Sequence, residues 1–173
     1  MTKFLTKAAL AATVAGTLFA TPALAAPAGN ANFIAKAKIV KPVTITNNTD
    51  LDFGTVTMNP SLVLATVAIA NGLASVPVCS SAQLTCLGGG SADFTLSSGV
   101  ANQAITLTYN VPPTVLTHTN GSATVPFRLN TIANVTLDSF GAGAFSVGGE
   151  IDVVTATIDG EYRATVNVVA NYL

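Results

Sequence analysis

The terminal stretch Glu161-Tyr162-Arg163-Ala164-Thr165-Val166-Asn167-Val168-Val169-Ala170-Asn171-Tyr172-Leu173 places apolar residues at every second position. Tyr162, Ala164, Val166, Val168, Ala170 and Tyr172 fall on one side, and Arg163, Thr165, Asn167 and Asn171 on the other. Successive side chains of a strand point to opposite faces, so this pattern predicts a strand with one face on a core. Asp159-Gly160 just before it is a turn pair.

The same period of two runs backward through the chain. Phe33, Ala35, Ala37 and Ile39 alternate with Lys36 and Lys38, and Val43 and Ile45 resume beyond Pro42, which marks an edge or a break. After the turn-forming Asn47-Asn48-Thr49-Asp50, the phase flips at Gly54 to Val56 and Met58, predicting a bulge or strand switch. Leu62 to Ala70 is apolar on both faces and predicts a central strand, followed by a hairpin turn at Asn71-Gly72. The segment from Cys79 through Gly88-Gly89-Gly90 predicts a longer loop. Ala92, Phe94 and Leu96, then Ile105, Leu107 and Tyr109, restore the alternation up to Pro112-Pro113. Asn120-Gly121 leads into Val125 and Phe127, where Pro126 predicts an edge strand. Helical spacing is absent. The expected fold is all-β: a single antiparallel β-sandwich of immunoglobulin-like type, with seven to nine strands.

The chain begins with Lys3 and Lys7, an apolar run from Ala8 to Ala20, and Ala23-Leu24-Ala25. This is the layout of a signal peptide cleaved after Ala25, and the run is shorter than the roughly 20 residues of a spanning helix. Residues 1–25 are therefore read as the signal peptide and 26–173 as one β-sandwich domain, exported and without an integral membrane segment after cleavage. Export puts Cys79 and Cys86, the only cysteines, where thiols oxidise, and predicts one local disulfide; two free thiols or half a metal site is the alternative.

Charged residues make up 9% of the chain and hydrophobic ones 50%. Beyond the signal, Lys36, Lys38, Lys41, Arg128 and Arg163 face all eight acidic residues, so no basic surface for nucleic acid exists. A surface this poor in charge suits association. Enzyme chemistry lacks support: His118, the only histidine, sits beside a turn and reads as a solvated loop residue, and no Gly-x-Ser-x-Gly occurs. No catalytic residue and no cofactor is expected. Glu150, Asp152, Asp159 and Glu161 bracket one hairpin, yet they lack the spaced ligand loop of a calcium site, so no metal is assigned.

A Gly fourteen residues from the end and a penultimate Tyr, here Gly160 and Tyr172, resemble the terminal signature of chaperone-usher pilins. Leu51-Asp52-Phe53-Gly54, Phe145-Ser146-Val147-Gly148-Gly149 and Gly160-Glu161-Tyr162 stand in the order seen in the secreted spore-coat-U-like and fimbrial-subunit-like proteins of Gram-negative bacteria. The chain resembles these over most of its mature part, close to an uncharacterised member, a domain of unknown function. The resemblance implies a sandwich lacking one strand, filled by a periplasmic chaperone during usher-dependent export and then by the N-terminal extension of the next subunit. It also implies self-polymerisation into pili and cell adhesion at the surface. In that reading Gly160, Tyr162, Ala164, Val166, Val168, Ala170 and Tyr172 form the subunit-contact strand. Phe33, Ala35, Ala37 and Ile39 form the donor segment, or else the domain's own first strand. The cysteine pair departs from the pattern, lying later than the first-strand disulfide common in the best-known pilins. Two other functions stay open: a monomeric periplasmic or secreted sandwich that binds a ligand, and a small outer-membrane β-barrel. Against the barrel stand the absence of Trp, the three Tyr and the final Leu173.

Overall fold

The computed structural model describes residues 29, 31–110 and 113–173. The expected signal peptide, residues 1–25, lies outside them. Residues 38–173 form one compact unit. In the preceding unit, the described residues are exposed and carry no strand.

Among the described residues thirteen strands follow in chain order: β1 Thr44–Thr49, β2 Thr55–Met58, β3 Ala65–Ile69, β4 Val78–Cys79, β5 Leu84–Leu87, β6 Ala92–Ser97, β7 Ala104–Asn110, β8 Val115–His118, β9 Thr124–Asn130, β10 Asn134–Thr136, β11 Gly143–Val153, β12 Tyr162–Arg163 and β13 Asn167–Tyr172. All pairings are antiparallel, and no helix occurs among the described residues. The fold is all-β and sandwich-like, as the alternation predicts. One layer is an eight-stranded sheet whose main path runs β1-β6-β11-β9-β8-β12, with β3 and β4 joined to it through β11. The opposing layer comes in two pieces, the sheet β10-β7-β13 and the ribbon β2-β5.

Each piece covers its own part of the core. Ile105 and Leu107 of β7 pack with Leu96, Leu137, Phe145 and Val147, and Phe94 stacks on Phe145 at 4.8 Å. Leu84 of β5 and Phe53 pack with Val67, Ile69, Phe127, Ile151 and Val153, where Phe53 meets Phe127 edge-on at 6.1 Å. β11 serves both parts: its first half pairs β6, and its second pairs β3 and β9. Gly148 and Gly149 stand at that change of partner, where a side chain would collide with the backbone of Ile69 and Ala70 or with the carbonyl of Arg128.

More strands form than the seven to nine expected, because both terminal strands break in two and the cysteine segment is not loop. At Gly54 (φ +69°) the chain leaves the β1-β6 pairing for the β2-β5 ribbon, the strand switch that the phase flip predicts. β12 and β13 are separated by Ala164, Thr165 and Val166. The cysteine segment supplies β4 and β5, since Cys79 and Cys86 are joined and each lies in a paired strand.

Three further expectations change. The central strand is shorter than Leu62 to Ala70, and Val63 and Leu64 are exposed. β3 and β4 pair antiparallel, but through residues 70–77 instead of a tight Asn71-Gly72 hairpin. Pro126 lies in an internal strand: β9 sits between β11 and β8. Proline is tolerated there because the amide of Phe127 bonds toward β8, to the carbonyl of Thr114, so the next nitrogen back faces β11, whose pairing ends at Ile151 and Phe127.

Candidate functional site

The two pieces of the second layer do not meet. Between them lies a cleft of about 1410 Å³. One wall is the first strand pair, with Ile45, Val56 and Met58; the other is the terminal pair, with Tyr162, Val166 and Val168. Phe94, Leu116, Phe127 and Ile151 of the eight-stranded sheet contribute to its lining.

Both walls are free sheet edges. β1 pairs only β6 and β2 only β5, while β12 pairs only β8 and β13 only β7. Their remaining main-chain donors and acceptors have no strand partner among the described residues. Val56, Met58, Tyr162, Val166 and Val168 are half-buried, where a closed core would bury them. An unpaired edge beside incompletely covered apolar side chains can template pairing with another strand.

The first and last strands run in opposite directions and converge at one end. There β1 and β13 come within 8 Å of each other at Cα. The hydroxyl of Tyr172 donates to the carbonyl of Lys41 at 2.9 Å and accepts from the amide of Val100 at 2.9 Å. The penultimate tyrosine thus clasps the two strands and the loop after β6. At the other end, which no hydrogen bond between the two strand pairs closes among the described residues, the lining reaches Met58 and the exposed Ile158 and Gly160.

At that open end the start of the terminal strand is held by His118. The ring is buried, correcting its expected place in a solvated loop: it is T-stacked on Tyr162 at 5.0 Å, Nδ1 accepts from the amide of Asn120 at 3.0 Å, and Nε2 bonds the carbonyl of Asp159 at 3.1 Å. An acceptor at Nδ1 and a carbonyl at Nε2 fix the neutral tautomer with its proton on Nε2. Gly160 (φ +140°) abuts the Nε2 edge of this ring, leaving no room for a side chain.

The disulfide Cys79–Cys86 braces a wall. Its Cα atoms are 6.1 Å apart; it ties β4, which pairs β3, to β5, which carries β2. A pair that is late in sequence therefore sits next to the first-strand region in space.

Of the terminal residues named from sequence, Gly160, Tyr162, Ala164, Val166 and Val168 line the cleft, Ala164 exposed in the break between β12 and β13, while Ala170 and Tyr172 lie beyond its lining. Phe33, Ala35, Ala37 and Ile39 lie in no strand and are exposed, Phe33 at 90% and Ile39 at 94%. The first strand of the sandwich begins only at Thr44. The opposite wall, Val56 and Met58, and the floor residues Leu116 and Ile151 were not singled out, although the phase flip at Gly54 pointed to the former.

No group of three or more His, Cys, Asp or Glu that could hold a metal occurs among the described residues. Glu150 and Asp152 instead bind Arg128 on the exposed face of β9 and β11, at 3.1 and 2.6 Å. Arg128 and the hydroxyl of Thr66 hold the Asp152 carboxyl below its ordinary range. No helix among the described residues is long and apolar enough to cross a membrane. The eight-stranded sheet is open, ending at β1 and β12 around an apolar interior, which is not the closed, polar-lined wall of an outer-membrane barrel.

These features define an all-β sandwich-like protein with an open strand-length cleft between its first and last strands. Residues 43–172 match the family described as Domain of unknown function (DUF4402), and the chain belongs to it. No curated protein and no solved structure matches.

Proposed function

We propose that this chain is an exported structural subunit, fimbria-like, that assembles with further copies by β-strand complementation. The observation that carries this reading is the cleft flanked by two free sheet edges. An extended segment laid there satisfies main-chain groups on both sides, and its alternate side chains cover Val56, Met58, Val166 and Val168. Because the flanking strands are antiparallel to each other, any inserted strand pairs antiparallel with one and parallel with the other.

The donor is the segment Phe33, Ala35, Ala37 and Ile39 of a neighbouring copy. Its large residues stand at the two ends and its small ones between, it is exposed, and at about 3.3 Å per residue it spans about 20 Å as a strand. The cleft is larger than the roughly 300–1,000 Å³ usual for a small-molecule site, which favours a peptide segment over a ligand-binding module. The resemblance to pilins supplies the remaining partners: a periplasmic chaperone covering the cleft before assembly, and an usher. The disulfide fits an oxidising destination, whether periplasm, cell surface or medium.

The test is the double substitution Ala35→Glu and Ala37→Glu. Sedimentation of the purified chain should change from large species to monomer, with the far-ultraviolet spectrum unchanged. Unaltered assembly, or loss of the fold, contradicts the donor role.

A further inference from the structure

We infer that the turn carrying Phe140 is a docking surface for a second copy of this chain, received on the apolar rim formed by Val63, Leu64, Val154 and Ile158 at the opposite end of the sandwich. This rests on the strand-complementation reading and adds to it a contact outside the cleft.

The polarity of insertion comes first. The cleft is closed where Tyr172 bonds Lys41 and open beside Ile158. A donor strand whose chain continues into a folded domain must therefore leave by the open end, with Phe33 innermost and Ile39 outermost. It then runs antiparallel to the terminal strand.

The length of the connection comes next. In the donor copy, the first residue whose main chain is held by its own sandwich is Lys41, through Tyr172; before it only the exposed side chain of Lys38 reaches the sandwich, its Nζ 3.5 Å from Gln103 Oε1. Only Val40 separates it from Ile39, and two residue steps reach about 7 Å. Pro42 stiffens the chain just beyond. With Ile39 seated at the mouth of the acceptor cleft, the Lys41 end of the donor domain has to abut the Ile158 end of the acceptor.

Both abutting ends expose apolar side chains. Beside Lys41, through the loop after β6, stands the turn at Asp138–Gly141: Gly99 donates to the carbonyl of Gly141 at 3.0 Å, while Val100 bonds Tyr172. Phe140 projects from this turn with 90% of its surface exposed. The turn is rigid, because the Asp138 carboxylate accepts from the amides of Phe140 and Ala142 at 2.8 and 2.9 Å. A preorganised exposed aromatic is the residue type that anchors an interface at low entropic cost. At the other end Val63 is 83% and Leu64 61% exposed, held next to Val154–Thr157 by a bond from the Thr155 hydroxyl to the carbonyl of Leu62. Ile158, half-exposed, joins this rim to the lining of the cleft.

Charge complements the fit. Lys36, Lys38 and Lys41 all precede the first strand of the donor, whereas Asp159 and Glu161 stand at the mouth of the acceptor, Glu161 already beside Arg163. Opposite charges across an interface steer its orientation.

The experiment places the photo-crosslinking residue p-benzoylphenylalanine at position 140 of the full chain, irradiates it under assembling conditions, and maps the products by mass spectrometry. The expected products join position 140 to residues 62–64 or 154–160 of another copy and disappear in the Ala35→Glu, Ala37→Glu chain. Phe140→Glu should raise the concentration for half-assembly about tenfold or more. Assembly with crosslinks elsewhere or only within one chain, or a Phe140→Glu chain that assembles normally, overturns the docking surface and leaves strand complementation standing. A chain that stays monomeric at every concentration overturns both.

Discussion

At the residue scale, Gly160 and Tyr172 account for why a terminal strand carries these two residues. Gly160 occupies a left-handed φ against the Nε2 edge of the His118 ring, so Gly160→Ala combines backbone strain with a collision. Urea unfolding should show a loss of about 1–3 kcal/mol. Tyr172→Phe keeps the ring and removes a bond donated to Lys41 and one accepted from Val100. It should cost about 1–2 kcal/mol and speed amide exchange at Val100. Asp152 sets an acid limit. Its carboxyl is depressed by Arg128 and Thr66, so its contribution is present above the unfolded value near about 3.9 and is lost as pH falls through the lower folded value. Asp152→Asn should flatten the fall in stability between pH 5 and pH 2; an unchanged profile would place the acid sensitivity elsewhere. The burial of His118 was partly legible, since it stands two positions after the lining residue Leu116 and so on the same face of a strand. What hid it was the adjacent turn: the ring is buried by Tyr162 and Asp159, which lie far along the chain.

At the scale of elements, alternation identified most strands but not how they are divided between sheets. The phase flip at Gly54 was visible because a period of two records which face is inward. The break at residues 164–166 was invisible because Ala164 keeps the phase while being exposed. Pro126 misled for a similar reason: a proline excludes a hydrogen bond on one side only, and sequence does not say on which side the neighbouring ladder ends. The cysteine segment read as loop because its strands are only two and four residues long, with Ser80-Ser81 between them and Gly88-Gly89-Gly90 after. The disulfide there closes a short loop, so replacing Cys79 and Cys86 by Ala should lower stability by about 2–3 kcal/mol. Because β5 carries β2, the same change should loosen one wall of the cleft, seen as faster exchange at Thr55 to Met58. Faster exchange confined to residues 78–87 would contradict the bracing role.

At the scale of the whole molecule, the sandwich has a core that is complete at its centre and unfinished along one seam. In the proposed reading the half-buried terminal strand, the largely exposed first strand and the two unpaired edges are a single deficiency, and the Phe33 to Ile39 segment has the length and alternation to fill it. From sequence, the same segment fitted equally well as a first strand, because alternation states that a strand can form and not which sheet receives it. The measurement that bears most directly on this is amide hydrogen exchange of the intact chain across a range of concentrations. Residues 34–40, together with Thr55 to Met58 and Asn167 to Tyr172, should become protected in step as the chain assembles. If residues 34–40 exchange freely at every concentration while the chain self-associates, the cleft is not where the copies join.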